Sequence, residues 1–324
     1  MASDPAYPPV LVIVGPTASG KSKLAFEIAL RTGGEIVSAD SRQIYRELDI
    51  GAAKPSPSEL HAVPHHFIDE KNIGEPFTAG QFALEAQKRI RDILGRGKPA
   101  IVAGGSTLYL QGLLEGFADL PEGNPVIRER LQDELECFGK EYLYEKLLEL
   151  DPEQAATLDA SKTQRLVRSL EIIEITGLTV TELRSRGKNR QDGLRFVTFG
   201  LSTPRSQLYD RINRRTQGMI ESGLAEEAEL LYNKYPHLIA ERKSQALRSV
   251  GYQELFACFE GRCGLTEAIE LIKQHTRNYA KRQITFFSNT LQVNWTAAPQ
   301  NEDDFRKLVG RLVRDCQIIH SPGR

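Results

Sequence analysis

The chain contains 324 residues, of which 40% are hydrophobic, so it can bury a substantial core in one large domain or two smaller ones. Its formal charge of −1 at pH 7 excludes a global positive field, so any nucleic-acid site has to be a local basic patch. No segment approaches the roughly 20 apolar residues that span a bilayer, and the first residues lack a signal-peptide pattern. The four cysteines match neither a disulfide framework nor a zinc site. We therefore expect a cytoplasmic protein without membrane contact or structural zinc.

The first third of the chain alternates predicted strands with predicted helices. An apolar run over 10–14 predicts a buried strand, and a helical pattern follows over 21–31. Further strands are predicted at 35–38 and 99–103, with a helix over 82–94 between them. Such alternation favours parallel strands joined by helical crossovers, and it therefore predicts a doubly wound α/β core.

The middle of the chain changes to helices with charged faces. Residues 117–193 are predicted to form an inserted helical domain, with helices at 125–138, 140–150 and 163–175. Strand character then returns at 194–201. The later helices are predicted at 204–222, 224–235 and 266–289, before an apolar run over 291–295. The α/β core is thus expected to be discontinuous, with a first part at 1–116 and a second part at 194–324.

The strongest motif joins the first strand to the first helix. It matches the pattern G-x-x-x-x-G-K-[ST] of nucleotide-binding phosphate loops through Gly15, Pro16, Thr17, Ala18, Ser19, Gly20, Lys21 and Ser22. In such a loop the backbone N–H groups and the positive end of the helix face phosphate oxygens. Lys21 adds a positive charge, and the Ser22 hydroxyl is suited to Mg²⁺. The motif predicts a phosphate-compound site without identifying the compound.

Polar residues also follow the second predicted strand, where the carboxyl ends of parallel strands should form a ligand site. They are Asp40, Ser41, Arg42 and Gln43. Asp40 is the candidate general base, because a carboxylate beside an acceptor can take the proton that an attacking amine or hydroxyl loses. Indirect Mg²⁺ binding is the first alternative role, and a structural helix cap is the second.

The third predicted strand runs into Gly104 and Gly105 and lacks the acidic residue that ATP-hydrolysing phosphate-loop proteins use for their metal. ATP hydrolysis is therefore disfavoured. The two glycines would allow the backbone to approach a substrate closely, and Ser106 offers a hydroxyl there. An ordinary glycine turn between strand and helix is the alternative.

A later predicted helix carries Arg211, Arg214 and Arg215. Their spacing puts Arg211 and either Arg214 or Arg215 on neighbouring faces of the helix. One of the three could reach a leaving diphosphate. We select Arg211 for that role. A solvent-exposed face or a local ion pair is the alternative for its neighbours.

Taken together, these motifs resemble those of the bacterial tRNA dimethylallyltransferases, the tRNA isopentenyltransferase family. The resemblance extends over almost the whole chain and also includes residues 38–45, 49–55, 64–66, 104–109, 164–171, 250–252 and 276–283. One departure is Ser106, where the family usually carries threonine. The Cys/His set of the zinc finger in eukaryotic relatives is also missing, which favours the compact bacterial form.

The resemblance implies a P-loop nucleotide-kinase-like fold and a prenyl transfer. The phosphate loop would hold dimethylallyl diphosphate with Mg²⁺, and the acceptor would be the exocyclic amine of the adenosine 3′ of the anticodon. Asp40 would take the amine proton, Ser106 would help to place acceptor and diphosphate, and Arg211 would stabilise the departing diphosphate. The implied contacts to the tRNA anticodon loop are Asp40, Ser41, Arg42, Gln43, Ser106, Arg128, Gln164, Arg165, Leu166, Val167, Arg168, Gln245 and Arg248. We expect a monomer.

Other functions share part of this residue set. A small-molecule kinase would use the phosphate loop and an acceptor-side aspartate, but it leaves the helical insertion and its run at 164–168 unexplained. An adenylate isopentenyltransferase performs the same chemistry on a free nucleotide and needs no grip on tRNA. A nucleotide-dependent RNA-binding switch is disfavoured because the sequence contains no Asn-Lys-x-Asp motif.

Overall fold

A computed structural model describes residues 8–189, 193–241 and 244–318 of the chain. The chain divides into two units, here called the α/β unit (Met1–Leu114 with Asp192–Arg324) and the helical unit (Glu115–Gln191). The bounds predicted for the inserted domain, 117–193, differ from the observed bounds by two residues at each end.

The described residues form helices and strands that alternate through the first third of the chain and again near its end. In chain order they are β1 (Val10–Val14), α1 (Lys21–Thr32), β2 (Glu35–Ala39), α2 (Pro57–Ala62), β3 (His65–His66), α3 (Ala79–Gly95), β4 (Ala100–Gly104), α4 (Thr107–Glu115), β5 (Phe117–Ala118), α5 (Pro125–Leu150), α6 (Pro152–Ala156), α7 (Thr163–Thr176), α8 (Val180–Ser185), β6 (Lys188–Asn189), β7 (Phe196–Ser202), α9 (Arg205–Glu221), α10 (Leu224–Lys234), α11 (Pro236–Ala240), α12 (Tyr252–Phe259), α13 (Leu265–Thr290), β8 (Asn294–Ala297) and α14 (Glu302–Ile318). None of the described helices is both long and apolar enough to cross a membrane.

The α/β unit is built on a parallel sheet with the strand order β3-β2-β4-β1-β7-β8. The register aligns the carboxyl ends of the central strands, since Gly104 of β4 lies opposite both Val14 of β1 and Ala39 of β2. The segments that follow β1, β2 and β4 therefore begin at one edge of the sheet. This edge is where ligands bind in open parallel sheets.

Helices cover both faces of this sheet. Successive side chains of a strand point to opposite sides, so each strand can pack against helices on both faces. Val12 of β1 belongs to an apolar cluster that includes Phe82 of α3 and Phe287 of α13. Its neighbour Ile13 belongs to a second cluster, with Ile28 of α1 and the buried side chains of α14. Burial on both faces explains why β1 reads as a continuous apolar run. The arrangement confirms the predicted doubly wound α/β fold.

The helical unit has its own core around Leu131, Leu143 and Leu170. Helix α5 is interrupted at Gly139, which has φ 85° and ψ 173°. That positive φ favours glycine and breaks the helical hydrogen-bond pattern. The break explains why the sequence predicts separate helices at 125–138 and 140–150.

Several elements were not predicted as observed, and the following four show why the structure differs from the sequence-based prediction. The helical unit contains the short antiparallel pair β5 and β6, although no strand was predicted there, because two residues per strand are too few for a periodic signal. Strand β8 begins at Asn294, three residues after the predicted apolar run begins. Helix α14 was not predicted, although Phe305, Leu308 and Leu312 follow a helical period on its buried face.

Candidate active site

The phosphate loop connects β1 to α1 through a left-handed turn. Ala18 has φ 62° and Gly20, the residue before the helix, has φ 94°. Within the described chain no side chain caps α1, so its first N–H groups are available to an anion. The positive end of the helix dipole adds to this preference. The local structure is therefore that of an anion-binding loop.

Lys21 is the first residue of α1, and its Nζ donates a 3.3 Å hydrogen bond to the carbonyl oxygen of Pro16. Desolvation and repulsion by Arg215 lower the pKa of the Lys21 ammonium to about 8, against the attraction of Asp40. A bound anion would relieve both unfavourable effects. Ser22, next in the helix, has an exposed side chain.

Asp40 follows β2 directly, and the chain then forms a turn. Its Oδ1 accepts a 2.9 Å hydrogen bond from the Arg42 N–H, the arrangement of an Asx turn. Ser106 fixes the same turn, because its Oγ accepts from the Ser41 N–H at 2.8 Å. The Ser106 hydroxyl is therefore engaged with the turn that carries Asp40.

The Gln43 side chain is half-buried and hydrogen-bonded to neighbouring segments. Its Oε1 accepts from the Ser38 hydroxyl at 2.9 Å, and its Nε2 donates to the Ala53 carbonyl at 3.0 Å. Both ends of this amide are occupied by protein. In the structure the Gln43 side chain joins neighbouring segments, and its sequence-based assignment as a tRNA contact stays a prediction.

A cavity of about 390 Å³ opens beside Asp40. It is lined by Thr17, Asp40, Ser41, Arg42, Gly51, Ala52, Ile212, Arg215, Thr216, Met219, Leu224, Arg248, Ser249, Val250, Gly251, Gln253, Ile272, Thr276, Tyr279 and Arg282. The lining combines guanidinium groups with a smaller apolar group that includes Ile212, Met219 and Ile272. Such a mixture suits a ligand that has both an anionic part and an apolar part.

The structure puts Arg215 rather than Arg211 in the cavity with Asp40. Desolvation lowers the pKa of the Arg215 guanidinium, and the Asp40 carboxylate opposes this effect. Arg211 instead lines a separate cavity of about 300 Å³ with Ser19 and Gly20 of the phosphate loop. The two arginines are one helical turn apart on α9, so helical periodicity could not distinguish them. Arg211 was selected from the sequence for the departing diphosphate, and its position beside the phosphate loop leaves that selection a prediction, with Arg215 as a second candidate.

Gly104 ends β4, Gly105 follows it, and both lie close to neighbouring protein groups. A Cβ at Gly104 would lie 2.1 Å from the Ala39 carbonyl oxygen, and one at Gly105 would lie 2.4 Å from Nε2 of Gln283. Close approach of neighbouring protein groups therefore accounts for both glycines, in place of the substrate approach suggested by the sequence.

Helix α13 contributes two residues that sequence reasoning did not assign to the site. Gln283 is 2% exposed and hydrogen-bonds both to the phosphate loop and to Gly105. Tyr279 lines the cavity, and burial together with the Asp40 charge raises the pKa of its hydroxyl to about 12. Both belong to the motif at 276–283, which was the only available signal.

The segment at 49–54 forms one wall of the cavity and is held by a single carboxylate. Glu227 of α10 accepts from three consecutive backbone N–H groups, at 3.1 Å from Asp49, 2.8 Å from Ile50 and 3.0 Å from Gly51. It also accepts from the Tyr252 hydroxyl at 2.6 Å. The motif at 49–55 thus has a structural explanation.

Gln245 and Arg248 lie before α12 in the α/β unit, and both side chains are exposed. Arg248 also lines the cavity beside Asp40. The structure therefore brings one of these two predicted RNA contacts to the same site as Asp40, Ser41 and Arg42.

The predicted RNA contacts of the helical unit fall into two groups. Gln164 and Arg165 are exposed on α7. The side chains of Leu166 and Val167 are buried in the core of the unit, so any RNA contact of these two residues would have to use the backbone. The helical period explains this difference, since neighbouring residues on a helix face different directions.

Arg128 and Arg168 share one buried carboxylate in the helical unit. Both donate to Oε2 of Glu171, at 2.8 Å and 2.6 Å, and the Glu171 side chain is fully buried. Burial raises the pKa of this carboxyl, but the hydrogen bonds from the two arginines outweigh burial and lower it. Both arginines therefore have a structural partner.

Comparison with known proteins identifies the family. A family model described as IPP transferase matches residues 43–290. The tRNA dimethylallyltransferase of Pelodictyon phaeoclathratiforme is 64% identical over 306 residues, which cover 94% of this chain and 96% of the relative. That of Chlorobium chlorochromatii is 60% identical, covering 92% of this chain and 96% of the relative.

Solved structures agree with this result. The tRNA isopentenylpyrophosphate transferase of Bacillus halodurans has a TM-score of 0.69 and 33% identity, covering 96% of this chain and 98% of its own. A eukaryotic dimethylallyltransferase acting on tRNA has a TM-score of 0.82 and 27% identity, covering 97% of this chain and 80% of its own. This chain therefore belongs to the IPP transferase family, that of the tRNA dimethylallyltransferases.

Proposed function

We propose that this protein transfers the dimethylallyl group of dimethylallyl diphosphate to the exocyclic amine of the adenosine 3′ of the anticodon in tRNA, giving isopentenyladenosine. The observation that carries this proposal is one cavity that Thr17 of the phosphate loop, Asp40 and Arg215 line together. An anion-binding group, a carboxylate and a cation are thereby combined in one site. The names of the relatives and of the eukaryotic structural neighbour support tRNA as the acceptor.

The donor diphosphate would bind at the start of α1. The allylic carbon gains cationic character as it loses the diphosphate, while negative charge builds on the leaving group. Lys21, Arg215 and the N–H groups of the phosphate loop are suited to that negative charge. Burial lowers the pKa values of Lys21 and Arg215, because it disfavours their charged forms. An anionic ligand at this position would offset that effect.

Mg²⁺ would neutralise part of the diphosphate charge. The exposed Ser22 hydroxyl at the start of α1 is an oxygen ligand that fits this ion. The described residues contain no cluster of three His, Cys, Asp or Glu side chains, so its other ligands would be diphosphate oxygens and water.

Asp40 would act as the general base. As the amine nitrogen bonds to the allylic carbon, the carbon–oxygen bond breaks and its electron pair leaves with the diphosphate. The nitrogen must then lose a proton, which the Asp40 carboxylate accepts. The hydrogen bonds around residues 40–42 hold that carboxylate at the edge of the sheet.

The tRNA would be bound through local basic patches, as the near-neutral charge of the chain requires. Arg42, Arg248 and Arg282 line the cavity, where an adenosine turned out of the anticodon loop would enter. In the helical unit, Gln164 and Arg165 together with the Arg128 and Arg168 pair would contact the RNA. We propose a monomer located in the cytoplasm with its tRNA substrate.

A transfer assay tests this function. Purified protein with Mg²⁺ and labelled dimethylallyl diphosphate should label unmodified tRNA. Parallel reactions offer AMP as acceptor, or ATP with a labelled γ-phosphate as donor. Label on AMP rather than tRNA would establish an adenylate isopentenyltransferase instead, and phosphate transfer from ATP would establish a kinase.

A further inference from the structure

Gln283 on α13 bridges two loops of the candidate active site. Its Oε1 accepts a 2.9 Å hydrogen bond from the N–H of Thr17, which is 266 residues away in the sequence. Its Nε2 donates a 2.7 Å hydrogen bond to the carbonyl oxygen of Gly105. A backbone N–H can only donate and a carbonyl oxygen can only accept, so these two partners fix the orientation of the amide.

The bridge continues toward the proposed base. Gly105 precedes Ser106, whose Oγ accepts from the N–H of Ser41, the residue after Asp40. A Cβ at Gly105 would lie 2.4 Å from Nε2 of Gln283, so a larger residue there would displace the Gln283 amide. One buried amide is therefore hydrogen-bonded to the phosphate loop and, through one further loop, linked to the turn that carries Asp40.

We infer that Gln283 is a positioning residue that sets the separation between the phosphate loop and Asp40. This inference rests on the proposed function, in which the first group holds the leaving diphosphate and the second takes the acceptor proton. A misplacement of about 1 Å between reacting groups can cost about a hundredfold in rate. Gln283 touches neither substrate in this role, and it acts through the two loops that it joins.

The chemistry of the bridge requires a side chain of this length that carries both one donor and one acceptor. A methionine of similar length offers neither the donor nor the acceptor. An ionised glutamate accepts from Thr17, but it cannot donate to Gly105 and it repels that carbonyl oxygen. A protonated glutamate carries one O–H donor and one carbonyl acceptor, so it restores both hydrogen bonds.

The first experiment compares Gln283→Met with Gln87→Met. Gln87 is a control of matched chemistry, because it is 5% exposed on α3 and its Oε1 has no hydrogen-bond partner among the described residues. In the tRNA transfer assay, Gln283→Met should lower kcat about thirtyfold or more, while KM for tRNA stays within about twofold. Its melting temperature should fall below that of Gln87→Met, because two buried hydrogen bonds are lost, so kcat is measured well below both transitions. Gln87→Met should retain wild-type kcat. A Gln283→Met enzyme with wild-type kcat overturns the inference.

The second experiment uses Gln283→Glu and a pH series. The ratio of its kcat to that of the wild type should rise about fivefold or more between about pH 8.5 and about pH 6, as the glutamate becomes protonated. A kcat ratio that is independent of pH would contradict the inference, because the hydrogen bonds of Gln283 would then not affect the rate. Failure of the wild type to label tRNA would overturn the proposed function and this inference with it, whereas an active wild type with indifferent variants overturns the inference alone.

Discussion

The α/β unit and the helical unit hold their basic side chains in different ways. Among the described residues, no ion pair joins Lys21 or Arg215 to a carboxylate, and desolvation lowers the pKa of both. Arg128 and Arg168, in contrast, both donate to the buried Glu171. The positive charges of Lys21 and Arg215 can therefore be neutralised by an anionic ligand. The charges of Arg128 and Arg168 are already paired with a protein carboxylate.

The largest effect should come from substitution of Asp40, the carboxylate that lines the cavity with Arg215. Asp40→Ala should lower the prenyl transfer rate about a thousandfold, because the acceptor amine then has no base. Binding of dimethylallyl diphosphate, measured by calorimetry, should stay nearly unchanged since the cations remain. Asp210→Ala, an exposed carboxylate on α9, is the control and should behave as wild type. A near-normal rate for Asp40→Ala would remove Asp40 from its assigned role.

The next comparison separates the two arginines of α9. Arg215→Gln should lower kcat about a hundredfold, since it removes a cation from the cavity where leaving-group charge develops. Arg211→Gln should cost less than about tenfold, because its side chain lines a different cavity. Steady-state kinetics of both variants decide the point. The reverse order of effects would support the sequence-based selection of Arg211.

A third test addresses Arg128 and Arg168, the two arginines that share the buried Glu171. Arg168→Ala leaves the buried Glu171 with one guanidinium instead of two, and should lower the free energy of unfolding by about 2 kcal/mol. Arg165→Ala on the exposed face of the same helix should change it by less than about 0.5 kcal/mol. If Arg165 contacts a phosphate, its loss should reduce the salt slope of tRNA binding by about 1. Chemical denaturation and binding at several salt concentrations measure both. Equal stability of the two variants would contradict the structural role of the Arg168 pair.

The smallest effect concerns pH. The free enzyme has a Lys21 pKa of about 8, and a bound diphosphate would raise it, so binding favours the protonated amine. Affinity for inorganic pyrophosphate should therefore be nearly full at about pH 7 and about tenfold lower at about pH 9. Lys21→Arg keeps its charge throughout this range and controls for titration of pyrophosphate itself. Identical pH profiles for the two proteins would show that Lys21 does not face the anion.

Local features of the site could be predicted from the sequence, and features that depend on packing could not. The phosphate loop and Asp40 could be proposed from the sequence because each directly follows a predicted strand. Gln283 was missed because its partner Thr17 is 266 residues distant. The sequence could not decide between Arg211 and Arg215, because the packing of α9 determines which turn of the helix faces each cavity. The glycines at 104 and 105 were attributed to the substrate because the neighbours they approach are visible only in the folded chain.

The discontinuous sheet has a consequence for biosynthesis. Val10 of the central strand pairs with Phe196, so one side of β1 stays without its partner strand until the ribosome has passed the helical unit. A nascent chain with such an open strand is prone to mispairing, and contacts of long sequence separation form slowly. The amide that braces the phosphate loop is translated later still. We therefore expect anion-binding competence to emerge only after Gln283 has left the ribosomal exit tunnel.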